Sequence, residues 1–383
     1  MKLSQKIYYI ANARMPTEKA HGIQLAKMCE AFLEQGIDLT LVIPRRKTSD
    51  ASLKEFYGLR REIPLVTLPV IDLYVHGRPG FFIGSLSYAI GYFFFIAWKR
   101  LAGEKIIVYM TDIDQFSFFL IPFLGVPYFC EIHDAKKKSV VFSLLFGCAS
   151  GIITINTIIK NELSQMFGIV KDHIIVHPNG IDMRMFASLP SRAEARSCLH
   201  IPTDKRIVLY VGRFYEWKGL EAVIAASRMI REDVLFYLVG GDTQELVAAT
   251  GIHDIPDIIN CIGNRPFSAI PLWLCAADVL LVLGTKKNEY SYLHTSPMKF
   301  FEYMASKRPM IASATPANKE IVSDQDVLFY EPDNARDLAE KITYAFDHGA
   351  EMRQKAEYAF SRADGFSWER RAYDIIQFIE TRI

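Results

Sequence analysis

Ser296-Pro-Met-Lys-Phe-Phe-Glu302 is the stretch whose residue types and spacing best suit ligand chemistry. Ser296 is a good helix N-cap, and Pro297 at the first helical position has its φ preset and needs no hydrogen bond. A helix is therefore expected from here to about Ser306. The N–H groups of Met298 and Lys299 would open the positive end of that helix to an anion, with the Lys299 ammonium beside them. Met298, Phe301, Met304 and Ala305 follow three-and-four spacing and would bury one face. Glu302, one turn past Lys299, could accept two hydroxyls of a sugar ring. A phosphate cradle followed by a diol acceptor describes a nucleotide diphosphate site. Taken alone, the stretch reads equally well as an ordinary capped helix with a solvated Glu302.

Other candidates fall at the ends of predicted strands. Arg213 closes one strand, and Lys218-Gly219 follows in a short loop. Two cations on such a turn suit the oxygens of a diphosphate leaving group, although solvated loop cations are the common fate of these residues. Gly240-Gly-Asp242 and Gly263-Asn-Arg265 end the next two strands, where a backbone without Cβ admits a ligand or a turn, and Arg265 could border a nucleobase. His21-Gly22 opens the first helix and offers another N-terminus to an anion or a sugar hydroxyl. His133-Asp134 ends a strand, where a histidine serves structure or proton transfer. Lys136-Lys-Lys138 reads as a solvated charge run or a contact for an anionic lipid headgroup. No paired-histidine spacing points to a metal site.

These residues need a scaffold of strand ends and helix starts. Strands are expected near Lys6–Asn12, Asp38–Pro44, Leu65–Pro69, Ile106–Thr111, Tyr128–Ile132, Gly151–Ile155 and Ile174–His177. An amphipathic helix from Gly22 stops at Gly36. A second series runs through Arg206–Arg213, Leu235–Gly240, Ile258–Ile262, Val279–Leu283, Pro309–Ser313 and Val327–Tyr330. Leu189 to Asp204, with Pro190, Pro202 and mixed charge, reads as a linker. The economical architecture is α/β: two doubly wound domains facing a central cleft. The expected bounds are 1–190 and 191–365, with a final helix at 366–383.

The 383 residues suffice for two sizeable cores, and half of them are hydrophobic. The net charge of +1 hides an asymmetry: residues 1–190 carry 21 Lys+Arg against 16 Asp+Glu, the remainder 23 against 27. A basic first half suits an anionic surface, but no basic stripe interleaved with aromatics suggests nucleic acid. Six cysteines without a C-x-x-C pair read as reduced core residues of a cytoplasmic protein. The N-terminus enters a strand directly, with no signal peptide expected. Phe81–Trp98 is uncharged and ends in Lys99-Arg100, near the minimum for a membrane span. Its glycines and serines favour a buried or interfacial helix.

The set of motifs resembles the retaining glycosyltransferases of family 4, which have the GT-B fold. The matching pieces are the opening strand with Ala20-His-Gly22, Glu131-Ile-His-Asp134, His177-Pro-Asn-Gly-Ile-Asp182, Tyr210-Val-Gly-Arg213 with Lys218-Gly219, and Ser296-Pro-Met-Lys-Phe-Phe-Glu302. They stand in the family's order across nearly the whole chain. The resemblance implies that Arg213 and Lys218 bind the diphosphate of a nucleotide-sugar, Ser296 to Lys299 present N–H groups to it, and Glu302 holds the ribose. Pro297, Met298, Gly212, Gly241 and Arg265 go with the donor-binding residues. His133 would contact the transferred sugar, the Gly22 loop would lie between donor and acceptor, and His21 and Asp134 would face the acceptor. The last helix, from Trp368, would cross back to the first domain.

It further implies transfer with retention, without a metal or other cofactor. The acceptor would be a saccharide or a lipid-linked one, in cell-surface glycan synthesis, with the protein cytoplasmic and peripheral on the inner face of the membrane. One departure is His294, eight positions before Glu302, where many members carry a second glutamate. Two other readings stand beside this one: a nucleotide-sugar epimerase of the same architecture, and a catalytically silent nucleotide-binding subunit, for which His294 is the motive.

Overall fold

The computed structural model describes residues 3–46, 51–73, 76–111 and 113–383; Met1 and Lys2, at the expected N-terminal entry, lie outside them. The first series forms β1 (Lys6–Ile10), α1 (Ala20–Glu34), β2 (Leu39–Pro44), α2 (Leu53–Tyr57), β3 (Leu65–Leu68), α3 (Gly77–Leu101), β4 (Ile106–Met110), β5 (Tyr128–Ile132), α4 (Val140–Gly147), β6 (Gly151–Thr154), α5 (Thr157–Phe167) and β7 (Ile174–Val176). All seven strands pair in parallel, in the order β3-β2-β1-β4-β5-β6-β7. Helices cover both faces, so the central strands read as unbroken apolar runs. β1, for example, buries Ile7, Tyr8, Tyr9 and Ile10 almost completely.

The second series comprises α6 (Arg192–Leu199), β8 (Arg206–Val211), α7 (Leu220–Ser227), β9 (Val234–Val239), α8 (Thr243–Thr250), β10 (Ile259–Gly263), α9 (Ile270–Ala276), β11 (Val279–Val282), α10 (Glu289–Leu293), α11 (Met298–Ala305), β12 (Met310–Ser313), α12 (Pro316–Ile321), β13 (Leu328–Tyr330), α13 (Ala335–Asp347) and α14 (Gly349–Ala363). Its six strands are also parallel, in the order β10-β9-β8-β11-β12-β13. The chain ends in α15 (Trp368–Glu380).

Two compact units result: residues 1–179 with 368–383, and residues 180–367. The boundary precedes the expected residue 190 because Ile181 and Phe186 already pack into the core of the second unit. The expected linker is likewise structured. Ser191 accepts from the Glu194 N–H while Glu194 accepts from the Ser191 N–H, a capping box that starts α6. That S-x-x-E signal was present in the sequence and outweighs the flanking prolines. Three cysteines (Cys29, Cys130, Cys275) are buried as expected, but Cys148 and Cys198 are exposed.

α3 departs from a simple core helix. Gly84, Ser85, Tyr88, Ala89, Tyr92 and Ile96 form its buried stripe, while Phe82, Ile83, Ile90, Phe94 and Trp98 are exposed. Among the described residues it is the one helix long and apolar enough to cross a membrane, and 39% of its most apolar window is buried.

α15 belongs to the first unit through a charge buried near the end of β5. Glu131 and Arg371 are both fully out of water, and Arg371 Nη2 donates to Glu131 Oε1 at 2.8 Å. Gln24 Nε2 donates to the same oxygen at 2.7 Å, the Tyr109 hydroxyl to the other, and Arg371 Nε to the Pro178 carbonyl at 2.9 Å. Burial alone would raise the Glu131 carboxyl, but the Arg371 guanidinium, then His133 and Tyr109, hold it well below the usual carboxylate range. Phe378 adds an edge contact to Phe129 and leaves no room for a Cβ at Gly151, which would lie 2.6 Å from the ring.

Removing one member of such a pair strands the other charge, at a cost of about 3–5 kcal/mol. Arg371→Leu should therefore lower the urea midpoint of the first unit by that equivalent, read by fluorescence and circular dichroism. An unshifted midpoint would show that α15 is held by its apolar contacts alone.

Candidate functional site

In the second unit the strand ends converge. β8, β9 and β10 finish at Gly212, Gly240 and Gly263, laced by backbone bonds from Gly212 N–H to Val239 O, Gly240 N–H to Gly263 O and Gly263 N–H to Gly241 O. Gly212 and Gly240 have φ of 147° and 126°, outside the range of ordinary side chains. A Cβ at Gly240 would lie 2.5 Å from the Gly212 carbonyl oxygen, and one at Gly212 would lie 3.0 Å from Lys299 Nζ. These glycines let three strand termini close up and leave space for an ammonium.

Lys299 reaches that space from the first turn of α11, with Nζ 3.9 Å from the centre of the Tyr210 ring. Lys218, in the turn after β8, places Nζ 3.8 Å from the centre of the Trp217 ring, which stacks on Tyr215. Burial pushes Lys218 down to about 7. Lys299 is pushed well below its ordinary value by burial and by the Lys218 charge, with Glu302 pulling the other way. Glu302 is raised by burial to about 7, against the pull of Lys299. Two cations that repel each other beside a carboxyl that resists ionising make a candidate anion site. The Tyr210 hydroxyl is buried beside them with no hydrogen-bond partner among the described residues. An anion with two or more charged oxygens would relieve both lysines.

The start of α11 differs from the expected one. Ser296 precedes a proline and is biased away from helical conformation. Pro297 occupies the cap position itself, with ψ of 115° and no side-chain acceptor. The helix therefore begins at Met298, one residue late. Phe300 N–H is bonded back to Pro297 O at 3.0 Å, so the Met298 and Lys299 N–H groups lie ahead of the helical ladder. Burial also exceeds a single face: Phe300 to Ala305 are all buried, Glu302 and Tyr303 included, while Met298 is only half-buried. The Tyr303 hydroxyl accepts from Val211 N–H at 3.0 Å and ties α11 to the end of β8.

The remaining candidates of this unit divide. Arg213 is half-buried, with its backbone against Gly240. Gly241 lies under the Phe214 ring, 2.4 Å from where its Cβ would stand, so its missing side chain serves that ring. Arg265 is exposed and donates to the Asn264 carbonyl at 3.0 Å. Ser296 and His294 are both buried.

In the first unit, His133 Nε2 lies 2.6 Å from Glu131 Oε1, so the buried carboxylate fixes its ring. Asp134 pairs with Lys136, whose Nζ also donates to the Ile113 carbonyl; of the expected solvated run only Lys137 and Lys138 are exposed. His21 is half-buried in the first turn of α1. Gly22 is buried, and a Cβ there would come within 2.6 Å of Thr17 and the Tyr57 hydroxyl, so close contact requires glycine. Sequence reasoning assigned no role to Tyr210, Trp217, Glu131 or Arg371. The signal for Glu131 was a lone charge inside an apolar strand. Among the described residues no three His, Cys, Asp or Glu side chains gather as metal ligands.

Comparison with known proteins places these observations. Residues 191–362, within the second unit, match the family described as glycosyl transferases group 1. The D-inositol 3-phosphate glycosyltransferase of Arthrobacter sp. is 25% identical over 226 residues, covering 55% of this chain and 51% of its own. The putative teichuronic acid biosynthesis glycosyltransferase TuaC of Bacillus subtilis is 25% identical over 212 residues, covering 55% and 50%. The chain thus spans about half the length of the curated relatives it matches. The fold extends over the whole chain: Anabaena HepE, crystallised with UDP, superposes with a TM-score of 0.74 at 17% identity, covering 98% of this chain and 100% of that one. The two parallel-sheet units are those of a GT-B protein.

The raised carboxyl gives a test of the site. An acid with folded pKa near 7 and unfolded pKa near 4.5 loses folding stability as pH rises between those values and nowhere else. Glu302→Gln should gain on the parent protein between pH 5 and pH 8, measured as the difference in unfolding free energy. An equal difference at the two pH values would mean that Glu302 ionises normally.

Proposed function

We propose that the chain is a retaining glycosyltransferase of family 4. It transfers a sugar from a nucleotide-diphosphate sugar to a saccharide or lipid-linked acceptor in cell-surface glycan synthesis, with no metal ion or other cofactor. The observation that carries this reading is the juxtaposition of Lys218, Lys299 and Glu302 in a unit that matches the group 1 family. The matched relatives bear glycosyltransferase names, one of them in teichuronic acid biosynthesis, and a protein of the same fold was crystallised with UDP.

In this reading the diphosphate enters between the two lysines and the first N–H groups of α11. Its charge restores their protonated forms, and the same groups stabilise the negative charge that grows on the leaving diphosphate. Arg213 adds a forked donor to the same oxygens. Glu302, ionised at and above about pH 7, accepts the ribose hydroxyls. The acceptor hydroxyl attacks from the face that the diphosphate leaves, which gives retention. His133, held by Glu131, contacts the sugar, and His21, Gly22 and Asp134 lie on the acceptor side.

Arg213→Ala should lower transfer by at least ~100-fold, the scale of losing one donor to a developing oxyanion, with thermal stability unchanged. Incubation of the parent protein with a panel of nucleotide-sugars, with and without saccharide or lipid-linked acceptors, supplies the comparison. Unchanged turnover in the variant would remove Arg213 from the reaction. Conversion of donor without acceptor would identify an epimerase, and binding without turnover a silent subunit.

The same reading places the protein in the cytoplasm, peripheral on the inner face of the membrane. Phe94, Trp98 and Leu101 are 67, 61 and 87% exposed along α3, and Phe123, in the turn that packs on it, is 63% exposed. From Gly77 to Leu101 the charged residues are Arg78, Lys99 and Arg100, all cationic. An apolar face with a basic end suits an interfacial helix on anionic lipid. Sedimentation with phosphatidylglycerol vesicles should be lost in Phe94→Glu/Trp98→Glu and weakened by salt. Retention of the double variant on vesicles would locate the contact elsewhere.

A further inference from the structure

The edge of the second sheet where its strands begin, opposite Gly212 and Lys299, carries a second concentration of positive charge. A cavity of about 720 Å³ opens there, walled by α6, the starts of β8, β11 and β12, and the start of α14. Seven Lys and Arg side chains line it, against the carboxylates Asp204, Asp278 and Glu357. The internal pairings do not balance. Asp278 is shared by Arg192 and Arg196, and also accepts from the Ile207 N–H. Lys307 has Glu357 at 3.8 Å, and Arg206 turns to Asp233 at 3.4 Å. Among the described residues, no carboxylate lies within ion-pair distance of Arg308 or Arg353.

Arg308 sits where a cation is disfavoured. Arg308 Nε is buried without an acceptor. Its guanidinium is held below its ordinary range by burial, against the pull of Cys275 and Asp278 and with the Arg192 charge adding to the burial. Arg353 lies in the second turn of α14, near the positive end of that helix, which has no side-chain cap. It folds back over its own N-terminus, with Nη1 3.6 Å from where a Cβ on Gly349 would be. The negative end of α11, which closes at Ser306, accounts for cations at Lys307 and Arg308. It does not account for Arg353. The intervening Lys307 has φ of 55°, a conformation in which glycine would cost less.

We propose that this cavity binds a small molecule carrying at least two phosphate charges. The guanidinium forks of Arg308 and Arg353 would take its phosphate oxygens, and Lys205 and Arg192 would line the approach. Phosphate fits the forked, planar donors, which pair bidentately with its oxygens. The volume lies within the range of small-molecule sites and exceeds what a single inorganic anion needs. The proposal is independent of the glycosyltransferase reading, since it shares no residue with the Lys218–Lys299 pocket.

The probe is inorganic pyrophosphate, titrated calorimetrically into full-length Arg213→Ala/Lys299→Gln protein, in which the other anion pocket is disabled. One equivalent should bind, and the affinity should fall at least tenfold when Arg353→Gln is added, and likewise with Arg308→Gln. Arg353 is exposed, so its variant decides the matter even where Arg308→Gln impairs folding, as judged by its melting curve. No binding in the Arg213→Ala/Lys299→Gln background would overturn the proposal. So would binding that Arg353→Gln leaves unchanged.

Discussion

The pairing of Glu131 with Arg371 is the contact on which the first unit depends. A carboxylate in a fully buried strand is affordable only where hydrogen bonds and an opposite charge replace water. Here Arg371, Gln24, Tyr109 and His133 supply them. The guanidinium arrives from a segment 240 residues away, so the unit is complete only when the chain has left it at Asn179 and returned at Trp368. The same carboxylate orients His133. Closure of the unit and placement of its candidate sugar-binding histidine therefore rest on one ionised group.

The second unit works on the opposite principle. Lys218 and Lys299 are half-buried and Glu302 is buried, and each is pushed toward its neutral form. Such an arrangement costs stability in the empty protein and is repaid when an anion enters. Tight strand ends at Gly212 and Gly240 make the crowding possible. The first unit thus satisfies its buried charge internally, and the second leaves two like charges side by side.

Much of this was legible in order along the chain. Alternation of apolar runs with amphipathic stretches located the strands to within a residue or two, because β and α periodicities are local properties of the sequence. The strand-end glycines, Arg213, Lys218 and the Lys299–Glu302 spacing were legible for the same reason. Misreadings occurred where two local signals compete. Ser296 is a good cap by type, yet the proline after it displaces the cap by one residue. Prolines around residue 190 suggested a linker, yet the Ser191–Glu194 capping box makes a helix.

By itself, then, the sequence determined two tandem parallel α/β units and the positions along the chain of the strand ends and helix starts that carry the candidate residues, since both follow from neighbours within a turn or a strand. Tertiary structure alone decided which charges meet. It joined Glu131 to Arg371, crowded Lys218 against Lys299, and left one apolar face of α3 uncovered. The physical reason is that desolvation and Coulomb energy depend on what surrounds a group in space. No residue's neighbours along the chain specify that.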